Sequence, residues 1–178
     1  GNNSRSDKKR LKELIEAIKM VYASTFKREA RSLLNNTVHK IREEKMAILI
    51  QEIVGQAYDK KRFYPTFSGV LQSVNYYPVS YMKREEGVVF LALGFGRTIV
   101  DGEKCLRISP NYPKILPQFY SIKSTLQNSQ NGFYGLPLRV KDRTDDDLLY
   151  YQLGEAEEDG ALQWVGSVVS EQDNNIKD

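Results

Sequence analysis

Two glycines and several basic residues make 94–107 the first candidate region for chemistry. Gly94-Phe-Gly96 follows an apolar stretch. Glycines in that position let the backbone approach a ligand closely, so that its amides can meet phosphate oxygens. Arg97, Lys104 and Arg107 would supply cations to a polyphosphate. A tight turn explains the two glycines about as well, and the chain contains no GxxxxGKS/T phosphate loop.

The apolar run at 46–54 is the second candidate. It predicts a buried strand that ends at Gly55. Free backbone groups at a strand end can pair with the edge of an adenine base much as they would pair with another strand. Glu52 would then accept an amino hydrogen or a ribose hydroxyl. A strand that simply ends in a loop remains the plainer alternative.

The scarcity of histidine and cysteine excludes several classes of site. Serine and cysteine nucleophiles usually need a histidine base, and the single His39 lies in a predicted charged helix. The single Cys105 is expected to be a half-buried, inert thiol. A disulfide framework and a zinc site built from several such ligands are therefore excluded.

The elements that must position these residues are helices first and strands afterwards. Apolar residues at three- and four-residue steps predict a helix over 7–34 that begins at Asp7, and a short helix is expected over 38–45. After the strand at 46–54 comes a predicted polar loop at 56–62. Further strands are predicted at 67–74, 87–93, 99–100, 105–108, 136–140, 148–153 and 161–170. This order predicts an α+β fold with a mainly antiparallel sheet.

Length and charge narrow the class of protein further. The chain has 178 residues and 40% hydrophobic content, which is enough to bury a core without disulfides. It contains no apolar run of about 18 residues and begins with polar residues, so we expect no membrane span and a cytoplasmic location. The net charge is +3, with a basic region at 1–46 and an acidic one at 142–160. Such charged regions are usually solvated surfaces.

Three segments, taken in order, carry a resemblance to a known family. They are Met46-Ala-Ile-Leu-Ile-Gln-Glu-Ile-Val54, Phe67-Ser-Gly-Val-Leu71 and Gly94-Phe-Gly-Arg-Thr-Ile-Val-Asp-Gly102. They resemble the "VQxMV", "SGVxF" and "GLGExVVxG" segments in the second half of the ATP-grasp nucleotide-binding domain of phosphoenolpyruvate synthase and pyruvate phosphate dikinase. The resemblance covers about residues 15–118, and a weaker match follows at 167–176.

The resemblance implies that the chain is a fragment of a larger enzyme and forms one lobe of its ATP cleft. In that family the ATP-grasp domain binds Mg-ATP and phosphorylates a histidine on a separate domain, and a barrel domain passes the phosphoryl group to pyruvate. The implied partners are ATP and the rest of the parent enzyme: the first ATP-grasp lobe, the phosphohistidine domain and the barrel. We expect a helical segment over 1–46, a sheet lobe over 47–120 and a β-rich acidic extension over 121–178.

The resemblance also implies roles for individual residues. Arg107 is similar to a family arginine that faces the phosphates, and it would stabilise charge on the transferring group. The implied nucleotide contacts are Gln51, Glu52, Ile53, Val54, Gly69, Gly94, Gly96 and Arg97. Arg97 stands where the family has an acidic residue, so the expected magnesium ligands are Asp101 and Glu103.

Two alternatives from other classes stay open. A non-catalytic binding module would stack nucleic-acid bases on Tyr76, Tyr77 and Tyr81, although the abundance of acidic residues argues against nucleic acid. A scaffold lobe that no longer binds nucleotide is suggested by Arg97 at the family's acidic position. Segments similar to the family's first lobe do not occur in the chain, so we expect at best weak ATP binding and no turnover by the chain alone.

Overall fold

The computed structural model describes residues 6–28, 30, 32, 45–138, 148–170 and 175–177. The chain divides into two compact units, Gly1–Ile53 and Val54–Asp178. The helix predicted over 38–45, with its His39, lies outside the described residues apart from Lys45, which is not helical. None of the helices in the described ranges is long and apolar enough to span a membrane.

The first unit contains one long helix, α1 (Asp7–Ser24). It is rich in Lys, Leu, Glu and Ala, which have high helix propensity, and the predicted start is confirmed. The helix ends at Ser24, and a turn at 25–27 interrupts the predicted helix before the helical residues Arg28, Ala30 and Ser32. The Ser24 hydroxyl donates to the Val21 carbonyl at 2.6 Å, and Thr25 begins a turn. Serine and threonine hydroxyls compete with helical backbone bonds, which explains an end that the apolar period alone does not reveal.

The buried strand predicted over 46–54 is wrong. Residues 45–55 belong to no strand, and the side chains of Leu49, Ile50 and Val54 are 80%, 61% and 77% exposed. A strand exists only where a second strand supplies hydrogen bonds. An apolar run does not show which second strand would pair with it, and none pairs with residues 46–54 in the described part of the chain.

The second unit contains a four-stranded antiparallel sheet. Its strands, in spatial order, are β1 (Gln56–Tyr58), β2 (Arg62–Tyr64), β6 (Gly132–Pro137) and β7 (Leu149–Gln152). The polar loop predicted over 56–62 is wrong, because β1 and β2 form a hairpin whose turn residues Asp59 and Lys60 have φ of 45° and 55°. The strand predicted at 148–153 is confirmed as β7. Since β6 and β7 come from beyond residue 120, the expected extension contributes half of this sheet.

A three-stranded antiparallel sheet carries most of the candidate residues. Its strands, in spatial order, are β3 (Ser68–Gln72), β4 (Val88–Ala92) and β5 (Leu106–Ile108), each slightly shorter than predicted. Phe90 lies opposite Val70 and Arg107, and Gly69 lies opposite Leu91. Opposed residues share a face and successive residues alternate. Val70, Phe90 and Arg107 therefore project to one face, and Gly69 and Leu91 belong to the other.

In the described part of the second unit, three short α-helices complete the α+β fold that was predicted: α2 (Arg97–Val100), α3 (Ile122–Asn128) and α4 (Leu153–Glu158). The strand predicted at 99–100 is wrong, because the Val100 amide donates to the Gly96 carbonyl at 3.1 Å and so closes a helical turn. Strand propensity of Ile and Val is weak beside such a local bond. Of the strand predicted over 161–170 only β8 (Val168–Ser170) forms, paired with β9 (Asn175–Lys177).

The core of the second unit is made of aromatic rings from the four-stranded sheet and small residues around α4. Tyr64 and Phe133 are fully buried with ring centres 4.5 Å apart, and Tyr58 stacks on Tyr64 at 4.3 Å. Ala156 and Ala161 pack in the same cluster. Aromatic side chains bury about 150–250 Å² each. The small alanines therefore let the helix come close to these rings.

A buried ion pair joins β2 to the end of α4. Arg62 donates from Nε and Nη2 to the two carboxylate oxygens of Asp159 at 2.8 and 2.7 Å, and the Tyr64 hydroxyl donates to Asp159 Oδ2 at 2.8 Å. Arg62 is 7% exposed and the Asp159 side chain 2%. Burial, followed by the hydrogen bond to Asp159, raises the pKa of Tyr64, so the phenol stays protonated as a donor. Arg62 lies in the segment predicted as a polar loop, and Asp159 lies between the strands predicted at 148–153 and 161–170, so the sequence patterns predicted no buried pair here.

Candidate functional site

The Gly94–Gly96 turn leaves the end of β4 and packs against β6. Gly94 has a φ of 77°, and a Cβ atom there would lie 2.7 Å from the Tyr134 carbonyl oxygen. The Phe95 amide donates to the same oxygen at 3.0 Å. Conformation and space both require glycine at position 94. The backbone of the turn therefore does make a close approach, as predicted, but to β6 of the same chain.

Two hydroxyl groups beside the turn have no hydrogen-bond partner within the described part of the chain. Ser68 Oγ would lie 3.7 Å from a Cβ atom at Gly96, and Thr98 in α2 is fully buried. Leaving a buried hydroxyl unpaired costs about 1–3 kcal/mol, so a polar group that bonded to it would be stabilised. Sequence reasoning missed both residues, although each lies in a segment that carries the family resemblance.

Arg97 is engaged with Asp101 and with an aromatic ring. Its Nε donates to Asp101 Oδ2 at 2.9 Å, and its guanidinium carbon lies 4.7 Å from the centre of the Tyr134 ring. An ion pair four residues apart and a cation–π contact both hold the side chain along α2. A phosphate at the turn would share this guanidinium with Asp101.

The predicted magnesium ligands Asp101 and Glu103 face groups of the protein. Burial and the Asp101 charge raise the pKa of Tyr134, and burial and the Glu103 charge raise the pKa of Tyr150. Over the described ranges, no three or more Asp, Glu, His or Cys side chains form a group that could hold a metal ion. A magnesium ion at Asp101 would have to compete with Arg97 for that carboxylate, and the role of Asp101 and Glu103 as magnesium ligands stays a prediction.

Arg107, the predicted phosphate-facing cation, clamps a loop. Its Nη2 donates to Asn75 Oδ1 at 2.7 Å and also to the Tyr77 carbonyl oxygen. The guanidinium carbon lies 5.7 Å from the centre of the Phe90 ring, and Asn75 is only 1% exposed. Arg107 Nε is buried and has no partner among the described residues. Nη2 of Arg107 is therefore used to hold the loop, whereas Nε makes no hydrogen bond within the described residues.

The strand register brings some candidates together and separates others. Ser68 projects to the same face as Phe90 and Arg107, because it lies two residues before Val70 on β3. Gly69 belongs to the opposite face. A Cβ atom at Gly69 would lie 2.9 Å from Leu91 Cδ2, so that side chain already fills the space that the glycine leaves. Arg107 therefore shares a sheet face with Ser68 and not with Gly69.

The residues predicted to hold adenine are not in a strand. Gln51, Glu52, Ile53 and Val54 are exposed and form no ladder with another part of the described chain. The first three lie in the first compact unit and Val54 in the second. Their role toward adenine stays a prediction, and it now rests on exposed residues that belong to no strand.

Comparison with known proteins adds one finding. The family model for the pyruvate phosphate dikinase AMP/ATP-binding domain matches residues 7–135. No curated protein and no solved structure matches the chain at a significant level. The matched range includes the Gly94–Gly96 turn, Ser68 and Arg107, and it covers well over half of the sequence. The chain therefore belongs to the pyruvate phosphate dikinase AMP/ATP-binding domain family.

Proposed function

We propose that the chain supplies one lobe of the ATP site of a phosphoenolpyruvate synthase-like phosphotransferase. In the proposed reaction ATP phosphorylates a histidine on another domain of the parent enzyme, and the phosphoryl group passes on to pyruvate. The observation that carries the proposal is the family match over 7–135, which includes the Gly94–Gly96 turn. The unpartnered hydroxyls of Ser68 and Thr98 support a polar ligand beside this turn.

The proposed phosphate contacts come from the Gly94–Gly96 turn and from one face of the three-stranded sheet. The Ser68 hydroxyl and the Gly96 amide would donate to phosphate oxygens, and Arg107 Nε would add positive charge from the same face. ATP supplies the phosphoryl group, and these residues orient it and stabilise its charge. Asp101 and Glu103 stay the predicted magnesium ligands, and a magnesium ion would compete with Arg97 for Asp101.

The proposed adenine contacts come from residues 51–54. These residues are exposed and belong to no strand, and their backbone groups would pair with the edge of the base as they would with a strand. Glu52 would accept from the adenine amino group or a ribose hydroxyl. We leave Gly69 out of the proposed site, since Leu91 occupies the space above it.

A calorimetric titration of the chain with ATP tests the proposal. We expect saturable binding with Kd on the order of 0.1–1 mM, since only one lobe is present. Ser68→Ala should weaken it by about tenfold or more, because one hydrogen bond to a charged group contributes about 1.5–3 kcal/mol. The matched control is Ser109→Ala, because Ser109 Oγ is also buried without a partner in the described residues.

The control is remote from the turn. Ser109 follows Ile108, which pairs with the start of β4, whereas Ser68 pairs with Ala92 at its end. Ser109→Ala should therefore leave ATP affinity unchanged. The proposal fails if the wild-type chain shows no saturable ATP binding, or if both variants weaken it equally.

A scaffold lobe without nucleotide binding is the second candidate. The Arg97–Asp101 ion pair favours it, because the pair neutralises charges that a Mg-ATP site would use. In that case ATP would not bind although circular dichroism showed a folded chain.

The nucleic-acid module is a weaker alternative. Tyr76 and Tyr77 are 65% and 82% exposed, and the Arg84 guanidinium carbon lies 5.7 Å from the centre of the Tyr76 ring. Absence of binding to a single-stranded oligonucleotide at low salt would remove it.

A further inference from the structure

Gln130 makes an unusual set of contacts just before the glycine turn. The Leu93 amide donates to Gln130 Oε1 at 2.9 Å, and Gln130 Nε2 donates back to the Leu93 carbonyl oxygen at 3.1 Å. The same Nε2 also donates to the Gly132 carbonyl oxygen at 2.8 Å. One side-chain amide thus pairs with both backbone groups of a residue in the way that a neighbouring strand would.

Leu93 needs these bonds because it lies beyond the end of β4. It is only 6% exposed, and buried backbone groups are almost always paired. A carboxamide can accept one bond and donate two at the same time, which neither a carboxylate nor a hydroxyl can do. The residue type is therefore specified by the contacts, since Glu would lose both donations.

The turn is held on both sides of Gly94. Gln130 fixes the backbone of Leu93 before it, and the Tyr134 carbonyl accepts from the Phe95 amide after it at 3.0 Å. Both anchors belong to the segment that enters and forms β6. The position of the turn is thus set by a side chain 37 residues away in sequence.

We propose that Gln130 is a positioning residue that holds the Gly94–Gly96 turn in its ligand-binding geometry. This inference rests on the proposed ATP contact at the turn. Gln130 itself does not touch the nucleotide, because its two N–H groups and its oxygen are directed to Leu93 and Gly132. Its effect on binding is exerted through the backbone that carries Gly96.

Gln130→Glu is the most specific test, because it keeps the shape and the acceptor but removes both donations. Amide hydrogen exchange of the 93–96 segment measures the positioning directly, without any ligand. We expect exchange there to accelerate about tenfold or more, consistent with the loss of two hydrogen bonds. Amides of the core residues Tyr64 and Phe133 should keep their wild-type rates.

Gln127→Glu is the matched control, since it makes the same chemical change on the exposed surface of α3. It should leave exchange at 93–96 unchanged. If Gln130→Glu does not fold, Gln130→Met replaces it, because methionine has a similar length and no hydrogen-bonding amide. Unchanged exchange at 93–96, or equal acceleration of all amides in the variant that folds, would overturn the positioning role.

An ATP titration of the same variants separates this inference from the proposed function. We expect Gln130→Glu to weaken binding about tenfold, with Gln127→Glu unchanged. Absence of ATP binding by the wild-type chain would refute the proposed function, and the exchange result would still decide whether Gln130 positions the turn. Faster exchange combined with unchanged ATP affinity would show that the turn geometry does not serve binding, and the proposal would fall.

Discussion

Replacing Asp159 by Asn tests whether its ion pair with Arg62 stabilises the second unit. Asn keeps the shape and one acceptor, but it removes the charge that neutralises a buried guanidinium. The nearest remaining carboxylate is that of Glu155, with Oε1 at 3.6 Å from Arg62 Nη1. Breaking a buried ion pair from one side costs about 3–5 kcal/mol. Because Glu155 compensates in part, we expect the free energy of unfolding to fall by roughly 3 kcal/mol at pH 7.

Urea unfolding followed by circular dichroism measures this loss. The midpoint should fall while the slope stays the same, since the area exposed on unfolding does not change. Asp101→Asn is the matched control: Asp101 also pairs with an arginine, at 2.9 Å from Arg97, but its side chain is 38% exposed. An exposed pair contributes at most about 1 kcal/mol. Equal losses in the two variants would refute the argument that burial makes the Arg62–Asp159 pair important.

The same pair predicts how stability depends on pH. Burial alone would raise the pKa of Asp159, but the hydrogen bonds from Arg62 and Tyr64 and the charge of Arg62 outweigh it and hold that pKa below its usual range. The stabilisation is therefore complete above the unfolded-state pKa of about 4 and is lost as pH falls through the lower folded-state value. Below about pH 4 the wild type should lose stability more steeply than Asp159→Asn, and parallel curves would contradict this.

Three further predictions concern the turn, Arg107 and turnover. Gly94→Ala should lower the free energy of unfolding by about 2–4 kcal/mol, because its Cβ would lie 2.7 Å from the Tyr134 carbonyl oxygen. Gly102 has the same φ of 77° but open space around it. Gly102→Ala should therefore lower the free energy of unfolding by only about 1 kcal/mol, and thermal unfolding of the two variants measures the difference. Equal costs would disprove the contact. Arg107→Met should cost about 1–3 kcal/mol because buried Asn75 loses its donor, and an unchanged melting temperature would count against the clamp. The chain mixed with ATP, magnesium and pyruvate should form no AMP or phosphoenolpyruvate, and clear turnover in a product assay would argue against a single lobe.

Local patterns predicted those elements whose formation depends on nearby residues. The start of α1 and the strands β3 and β4 agree with the apolar periods of their own segments. The prediction at 46–54 was wrong because a strand also needs a neighbour, and the hairpin at 56–64 was missed because its polar turn resembles a loop. These differences share one cause: the pairing partner of a strand is not encoded in the strand's own pattern.

The amino-acid sequence by itself determined the family, because its motifs are residue types within local segments taken in order. The need for glycine at position 94 came from the structure, where a Cβ atom would meet the Tyr134 carbonyl oxygen. Only the tertiary structure decided what the charged and polar side chains do. Arg62 and Asp159 are 97 residues apart in sequence, and Gln130 and Leu93 are 37 apart. Each arginine could have met a phosphate, a carboxylate or a carbonyl oxygen. The choice is made by which groups the fold buries together, because a buried charge or amide is stable only where partners are within hydrogen-bond distance.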